Sequence, residues 1–316
     1  MKPNSRSTRS RRSRVEHPRI KTRTVMAWSA ERAITVVVLF SALLCGATEK
    51  VSAQEPEYLW SIEESLWTGP SVGEDYTVEL TAGLWDPIPV IVASSEQFGI
   101  PGSDIHFGND LGLTRTSHPD FRLTFKLARK HKLRVSLVPI EYTQQSVLAR
   151  PLVFQGIQYD ANIPVASTFQ WDAWRFGYEY DIVSRQRGYF GILLEAKYTR
   201  LAARLTSDDA DEYVRAQAPI PALGAILRVY PTRFTPLTVE FTAFKLPGDL
   251  TERLPGDIST DYRGQYVDLD VYATLNLSRM VGINLGYRSV DFNYLIDRDA
   301  GDLKLAGFYA SGTFRF

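Results

Sequence analysis

Cysteine is almost missing from this chain. Its 316 residues include one, Cys45, so no intrachain disulfide is possible. An excess of one charge is missing too. Lys and Arg number 36, Asp and Glu 36, and the formal net charge is zero. A nucleic-acid binder should show a basic excess, so that class is excluded. No comparable 3.6-residue periodicity appears after Gln54, so helical domains are not expected. A mean hydropathy of −0.17 is too polar for a bundle of membrane helices. Histidines number only four. Aromatic residues, by contrast, are plentiful, with Tyr and Phe at 16 each, and both strands and membrane interfaces favour them.

The amino-terminal stretch has a targeting layout. Residues 1–25 are rich in Ser and Arg and include Arg11-Arg12. After Met26, Glu31 and Arg32 comes the apolar run Ala33 to Ala47. It is too short to cross a bilayer comfortably, which takes about 20 residues. Val51-Ser52-Ala53 then supplies a small-x-small cleavage site before Gln54. Residues 1–53 therefore read as a basic leader and secretory signal peptide. Residues 54–75, polar with scattered aromatics, read as a periplasmic lead-in or partial plug.

From Tyr76 to Phe316 period two dominates, as in strands with one apolar face. Tyr76, Val78, Leu80, Ala82 and Leu84 alternate with polar or small residues. So do Phe121 to Leu127, Leu133 to Leu137, Trp174 to Ile182, Phe190 to Tyr198, Leu223 to Val229, Leu237 to Ala243, Val267 to Leu277 and Ile283 to Tyr287. Leu193 and Ile226 break the pattern. After Tyr287 the phase slips to Val290, Phe292 and Tyr294, which reads as a bulge. Short connections (Arg129–His131, Ser184–Gly188, Pro231–Pro236, Ser278–Gly282) alternate with long ones (Asp86–Pro119, Thr143–Ala166, Thr206–Ala218, Gly248–Asp261). The last connection, Asp297–Asp302, is short and stands outside the rule. The short turns carry Arg; the long loops carry runs of Asp.

The final segment puts Phe308, Ala310, Gly312, Phe314 and Phe316 on one face and Tyr309, Ser311, Thr313 and Arg315 on the other. It resembles the carboxy-terminal assembly signal of bacterial outer-membrane β-barrels, carried here by Phe308, Gly312, Phe314 and Phe316. The resemblance implies insertion by the barrel-assembly machinery and residence in outer-membrane lipid and lipopolysaccharide. The expected fold is all-β, an antiparallel up-and-down transmembrane barrel of about ten strands, with eight or twelve as alternatives. Short turns belong to the periplasm and long loops to the outside.

The polar strand faces carry Arg122, Lys126, Arg134, Arg175, Lys197, Arg228 and Arg288, matched by Glu79, Glu179, Asp181, Glu195, Glu240, Asp268 and Asp270. On a lipid face a midplane Arg or Lys costs about 2–4 kcal/mol, so these charges must face inward. In a narrow barrel they should pair into a polar core, since an open channel takes nearer 16 strands. The expected role is a monomeric structural or surface-binding barrel with a largely closed lumen. A narrow channel is the alternative, and an outer-rim hydrolase a second. For the last, His106 and His118 lie in the first long connection near Asp104, Asp110 and Asp120. An Asp-His pair at that rim resembles outer-membrane proteases of the omptin type, also ten-stranded. Their motif, with acids and His on opposing strands, is not matched residue by residue. No cofactor or metal is expected; the acidic loops have no EF-hand spacing.

Overall fold

The computed structural model describes residues 66, 68–94, 102–208, 210–246, 263–296 and 299–316. The signal peptide, most of the 54–75 lead-in and the whole Gly248–Asp261 loop lie outside these residues. The described strands in chain order are β1 (Val78–Ser94), β2 (Ile105–His106), β3 (His118–Ala128), β4 (His131–Val147), β5 (Leu152–Phe154), β6 (Ile157–Tyr159), β7 (Pro164–Arg185), β8 (Gly188–Thr206), β9 (Asp211–Thr232), β10 (Thr235–Leu246), β11 (Arg263–Asn276), β12 (Val281–Ile296) and β13 (Asp299–Arg315). One short helix, α1 (Phe107–Leu111), follows β2.

Ten of these strands close a barrel in the order β1-β3-β4-β7-β8-β9-β10-β11-β12-β13, all antiparallel, with β13 pairing back to β1. The seam runs from Glu79↔Arg315 to Ser94↔Ala300 without a register shift. The residues read as the apolar face point outward: Leu80, Leu84, Phe121, Phe176, Leu194, Leu223, Phe241, Leu285, Phe308 and Phe314 are all exposed. On β7 this belt runs from Trp174 to Val183, about the 25 Å that a transmembrane barrel presents to lipid. Strands β7, β8 and β9 have 22, 19 and 22 residues, well beyond the roughly 9–11 that span a bilayer. Their outer halves therefore rise above the membrane, where Asp172, Arg200, Arg204 and Arg215 replace apolar outward positions.

Several expected boundaries are corrected. β1 does not end near Leu84 but continues to Ser94, through Asp86-Pro87-Ile88-Pro89. Mutual bonds between Val78 and Phe316 set the phase of the ladder, and Thr77 O accepts from Lys126 on the other side. By alternation, odd-numbered residues of β1 present their backbone groups away from β13. β3 starts only at His118, opposite Trp85, so Pro87 and Pro89 sit where that edge has no β3 partner. Their missing N–H groups break no seam bond, and an edge is where strand prolines are tolerated. The supposed long loop Thr206–Ala218 is mostly strand; only residues 207–210 separate β8 from β9. The Thr143–Ala166 connection holds the β5–β6 hairpin.

The bulge read near Val290 is absent. β12 keeps unbroken register with both β11 and β13 through this stretch. Val290 and Phe292 instead face inward and are buried. The phase of hydrophobicity slips because the interior itself turns apolar towards the outside. Leu193 and Ile226 also face inward, at 0% and 1% exposure, but in a separate small cluster with Tyr189 near the short-turn end.

Candidate functional site

Function in such a barrel depends on what fills its interior, and this interior has three levels. At the short-turn end the lead-in crosses the mouth. The Val72 N–H donates to Arg233 O (2.7 Å), and Asn276 Nδ2 donates to Val72 O (2.7 Å). Gly73 has φ +89°, a left-handed turn, and a Cβ there would lie 2.7 Å from Arg315 Nη1. Glu74 follows and points into the barrel. Its carboxylate accepts from Arg228 Nη1 (2.9 Å) and from the Tyr230 hydroxyl. Lys126 donates to its carbonyl. Tyr76, expected on the lipid face, is buried inside with the Lys126 ammonium 5.0 Å from its ring centre.

The middle level is ionic. Asp268 is the hub. Its carboxylate accepts from Arg288 Nε (3.1 Å) and Nη2 (2.8 Å), Arg175 Nη1 (3.0 Å), Lys197 Nζ (3.3 Å) and the Tyr266 hydroxyl (3.2 Å). Lys197 also reaches Glu195 (2.9 Å). Asp270 accepts from Arg122 (2.7 Å) and from the Tyr309 hydroxyl (2.8 Å). Arg134 bridges Glu179 (3.2 Å) and Glu240 (2.7 Å) across the lumen. Lys132 joins Glu179 (2.6 Å) to Asp181 (3.1 Å), and Arg315 holds Glu79 (2.6 Å). All fourteen charges identified from the sequence thus lie in one interior, each with a bonded partner.

The sequence reading missed four members. Asp120, which binds Arg122 (2.7 Å), and Lys132 sit two residues from Arg122 and Arg134 on the same faces, so strand parity could have found them. Arg315 was placed on the polar face but not in the network. Glu74 lies outside any strand and gave no signal. With them, nine cations (Arg122, Lys126, Lys132, Arg134, Arg175, Lys197, Arg228, Arg288, Arg315) meet nine acids (Glu74, Glu79, Asp120, Glu179, Asp181, Glu195, Glu240, Asp268, Asp270). Arg228 and Glu240, on adjacent strands, do not oppose each other; the register sets Thr238 against Arg228 and Ile226 against Glu240. The two charges meet only through the Tyr272 hydroxyl, which accepts from Arg228 (3.1 Å) and donates to Glu240 (2.9 Å). A cavity of about 10 Å³ remains among Arg122, Arg134, Arg175 and Glu195, room for about one water.

The outer level is apolar. Trp85, Val138, Ile140, Phe169, Trp171, Leu201, Val290 and Leu305 project inward and are buried. The outer connections close over them. Phe107 and Leu111 of α1 and Leu152, Phe154 and Tyr159 of the hairpin are buried in the same core. Arg150 pins this cap, donating to Asp110 (2.7 Å) and to Asp104 O (2.7 Å). The two candidate histidines are not brought together. His106 is exposed and its backbone N–H donates to Asp110 (2.9 Å). His118 is buried inside the wall with its ring 4.8 Å from that of Tyr142.

A closed antiparallel barrel with an apolar outer belt and charges inside is a transmembrane protein of the bacterial outer-membrane class, and this chain is one. No protein-family model matches the sequence, and no curated protein does. Among solved structures, the outer membrane protease OmpT from Escherichia coli aligns with a TM-score of 0.50 at 8% identity, over 78% of this chain and 99% of that one. The attachment invasion locus protein Ail of Yersinia pestis aligns at a TM-score of 0.32 and 8% identity, over 76% and 97%. The toluene transporter TodX of Pseudomonas putida aligns at 0.32 and 8%, over 77% and 90%. At such identities the OmpT likeness speaks for the fold alone, and the other two carry no argument.

Proposed function

We propose that this protein is a monomeric, non-conducting barrel with a structural or surface-binding role in the outer membrane, with lipopolysaccharide around its outer rim. One observation carries the proposal: the interior is filled at every level. The lead-in occupies the short-turn mouth, a network of nine cations and nine acids runs from there through the middle, and a capped apolar core occupies the outer half. Conduction needs a continuous wet path, and the cavity among Arg122, Arg134, Arg175 and Glu195 is about 10 Å³, room for about one water. The cap presents ordered outer segments, α1 and the β5–β6 hairpin, that serve as the binding face. The outer-rim hydrolase alternative would need a His within hydrogen-bond reach of its partner; among the described residues no serine or carboxylate is bonded to the ring of His106 or His118. Tracer efflux from proteoliposomes tests the reading: small ions should leak no faster than from empty liposomes. Rapid efflux that depends on the protein supports the channel alternative instead.

A further inference from the structure

The short-turn end carries a feature that the filled lumen does not use. The β3–β4 turn holds Arg129 and Lys130, and the neighbouring β7–β8 turn follows Arg185. The two are locked together: Asp181 N donates to Lys130 O (2.9 Å), and Lys130 Nζ donates to Ile182 O (3.2 Å). Arg129 and Arg185 are exposed. Just above them, on the outward face, His131 Nδ1 is bonded to the Tyr178 hydroxyl (2.5 Å), and its ring lies 5.1 Å from that of Tyr180. Next to these rings, Leu133, Ile182 and Val183 are exposed apolar residues of the lipid belt. The nearby acids Glu179 and Asp181 face inward and are held by Lys132.

We infer that this corner is a binding site for an anionic phospholipid of the inner leaflet. Cations at the belt's edge meet the phosphate, the Tyr-His girdle sits at headgroup depth as amphipathic rings do, and Leu133, Ile182 and Val183 meet the acyl chains. Lys130 contributes its charge while its ammonium stays tied to Ile182 O. The cations come from two adjacent turns tied by backbone and side-chain bonds, so the turns that carry them are fixed before lipid arrives. A strong anionic preference follows, since each Lys or Arg beside an anionic lipid surface contributes about fivefold in binding.

Native mass spectrometry of the full barrel, folded in detergent with equal amounts of phosphatidylglycerol and phosphatidylcholine, tests this. Wild type should retain phosphatidylglycerol preferentially. Arg129→Gln with Arg185→Gln should reduce that preference by on the order of tenfold or more. Arg129→Lys with Arg185→Lys should keep it, and so should Arg279→Gln on the distant β11–β12 turn. Folding of every variant is read from heat-modifiable gel mobility, and should the double Gln variant not fold, the single Gln variants are read in its place. No lipid preference in wild type overturns the inference. So does an equal loss in Arg279→Gln, which assigns the preference to diffuse charge around the rim rather than to this corner.

Discussion

Asp268→Asn should be among the most damaging single changes in the barrel. Asp268 is buried and serves three cations. Two of them keep other partners when its charge is removed. Lys197 retains Glu195 (2.9 Å) and Thr242 Oγ1 (2.8 Å), and Arg175 retains Ser136 Oγ (2.8 Å). Arg288 does not. Both of its hydrogen bonds go to Asp268 and its Nη1 has no bonded partner; beyond Asp268 it has the face of Trp85 at 5.1 Å and only the charges of Asp120 and Asp270 nearby, neither bonded to it. The loss is therefore that of one buried pair with the other charge stranded, about 3–5 kcal/mol. Adding Arg288→Met removes the stranded charge and should recover part of it, since a buried pair replaced by apolar groups is often neutral. Urea unfolding of barrels inserted in lipid vesicles, followed by tryptophan fluorescence, reads both values. If Asp268→Asn changes stability by less than about 1 kcal/mol, the middle level is solvated and the buried-pair reasoning is wrong.

Deleting Phe316 should impair assembly. Its backbone exchanges bonds with Val78 and accepts from Thr77 at the seam, and its ring is exposed to lipid; normal insertion yield with heat-modifiable mobility contradicts this. The outer cap should respond only to acid. Burial pushes the Asp110 carboxyl up, but bonds from Arg150 and the His106 N–H outweigh it and hold the group below its ordinary value. A depressed folded pKa stabilises above the unfolded value and is lost as pH falls through the folded one. Proteolysis of the cap should thus be constant from pH 5 to 8 and rise only below about pH 4; a change near pH 6 refutes that assignment. Single cysteines fix the topology: an impermeant reagent on whole cells should reach Asp208→Cys and miss Arg279→Cys, and the reverse means the barrel is inverted.

Most of the membrane-embedded half was legible in the sequence, because lipid enforces strict alternation there. Leu80 and Leu84, or Phe176 and Tyr178, face lipid because their neighbours cannot. The outer half was not legible, because above the membrane that constraint lapses. Val290 and Phe292 looked like a bulge when they mark an interior that becomes apolar. Pro87 and Pro89 looked like a loop when they mark an edge without a β3 partner. The expected long loop Thr206–Ala218 misled, because β9 already begins at Asp211 and runs as strand through Asp211, Arg215 and Gln217, leaving only 207–210 as the connection. The ionic level was readable residue by residue but not pair by pair. Strand parity places a charge inside, whereas partners such as Arg134 and Glu240 sit on strands far apart in the ring. Glu74 needed the lead-in's path through the mouth, which no periodicity encodes.

Single-channel recording in planar bilayers tests the central claim most directly. The wild-type barrel should give no steady conductance at either polarity. A variant lacking the lead-in up to Asp75 should show, at most, brief openings, because the ionic and apolar levels remain in place. Steady wild-type channels whose ion selectivity shifts with Arg134→Gln or Glu240→Gln would contradict the closed-lumen account.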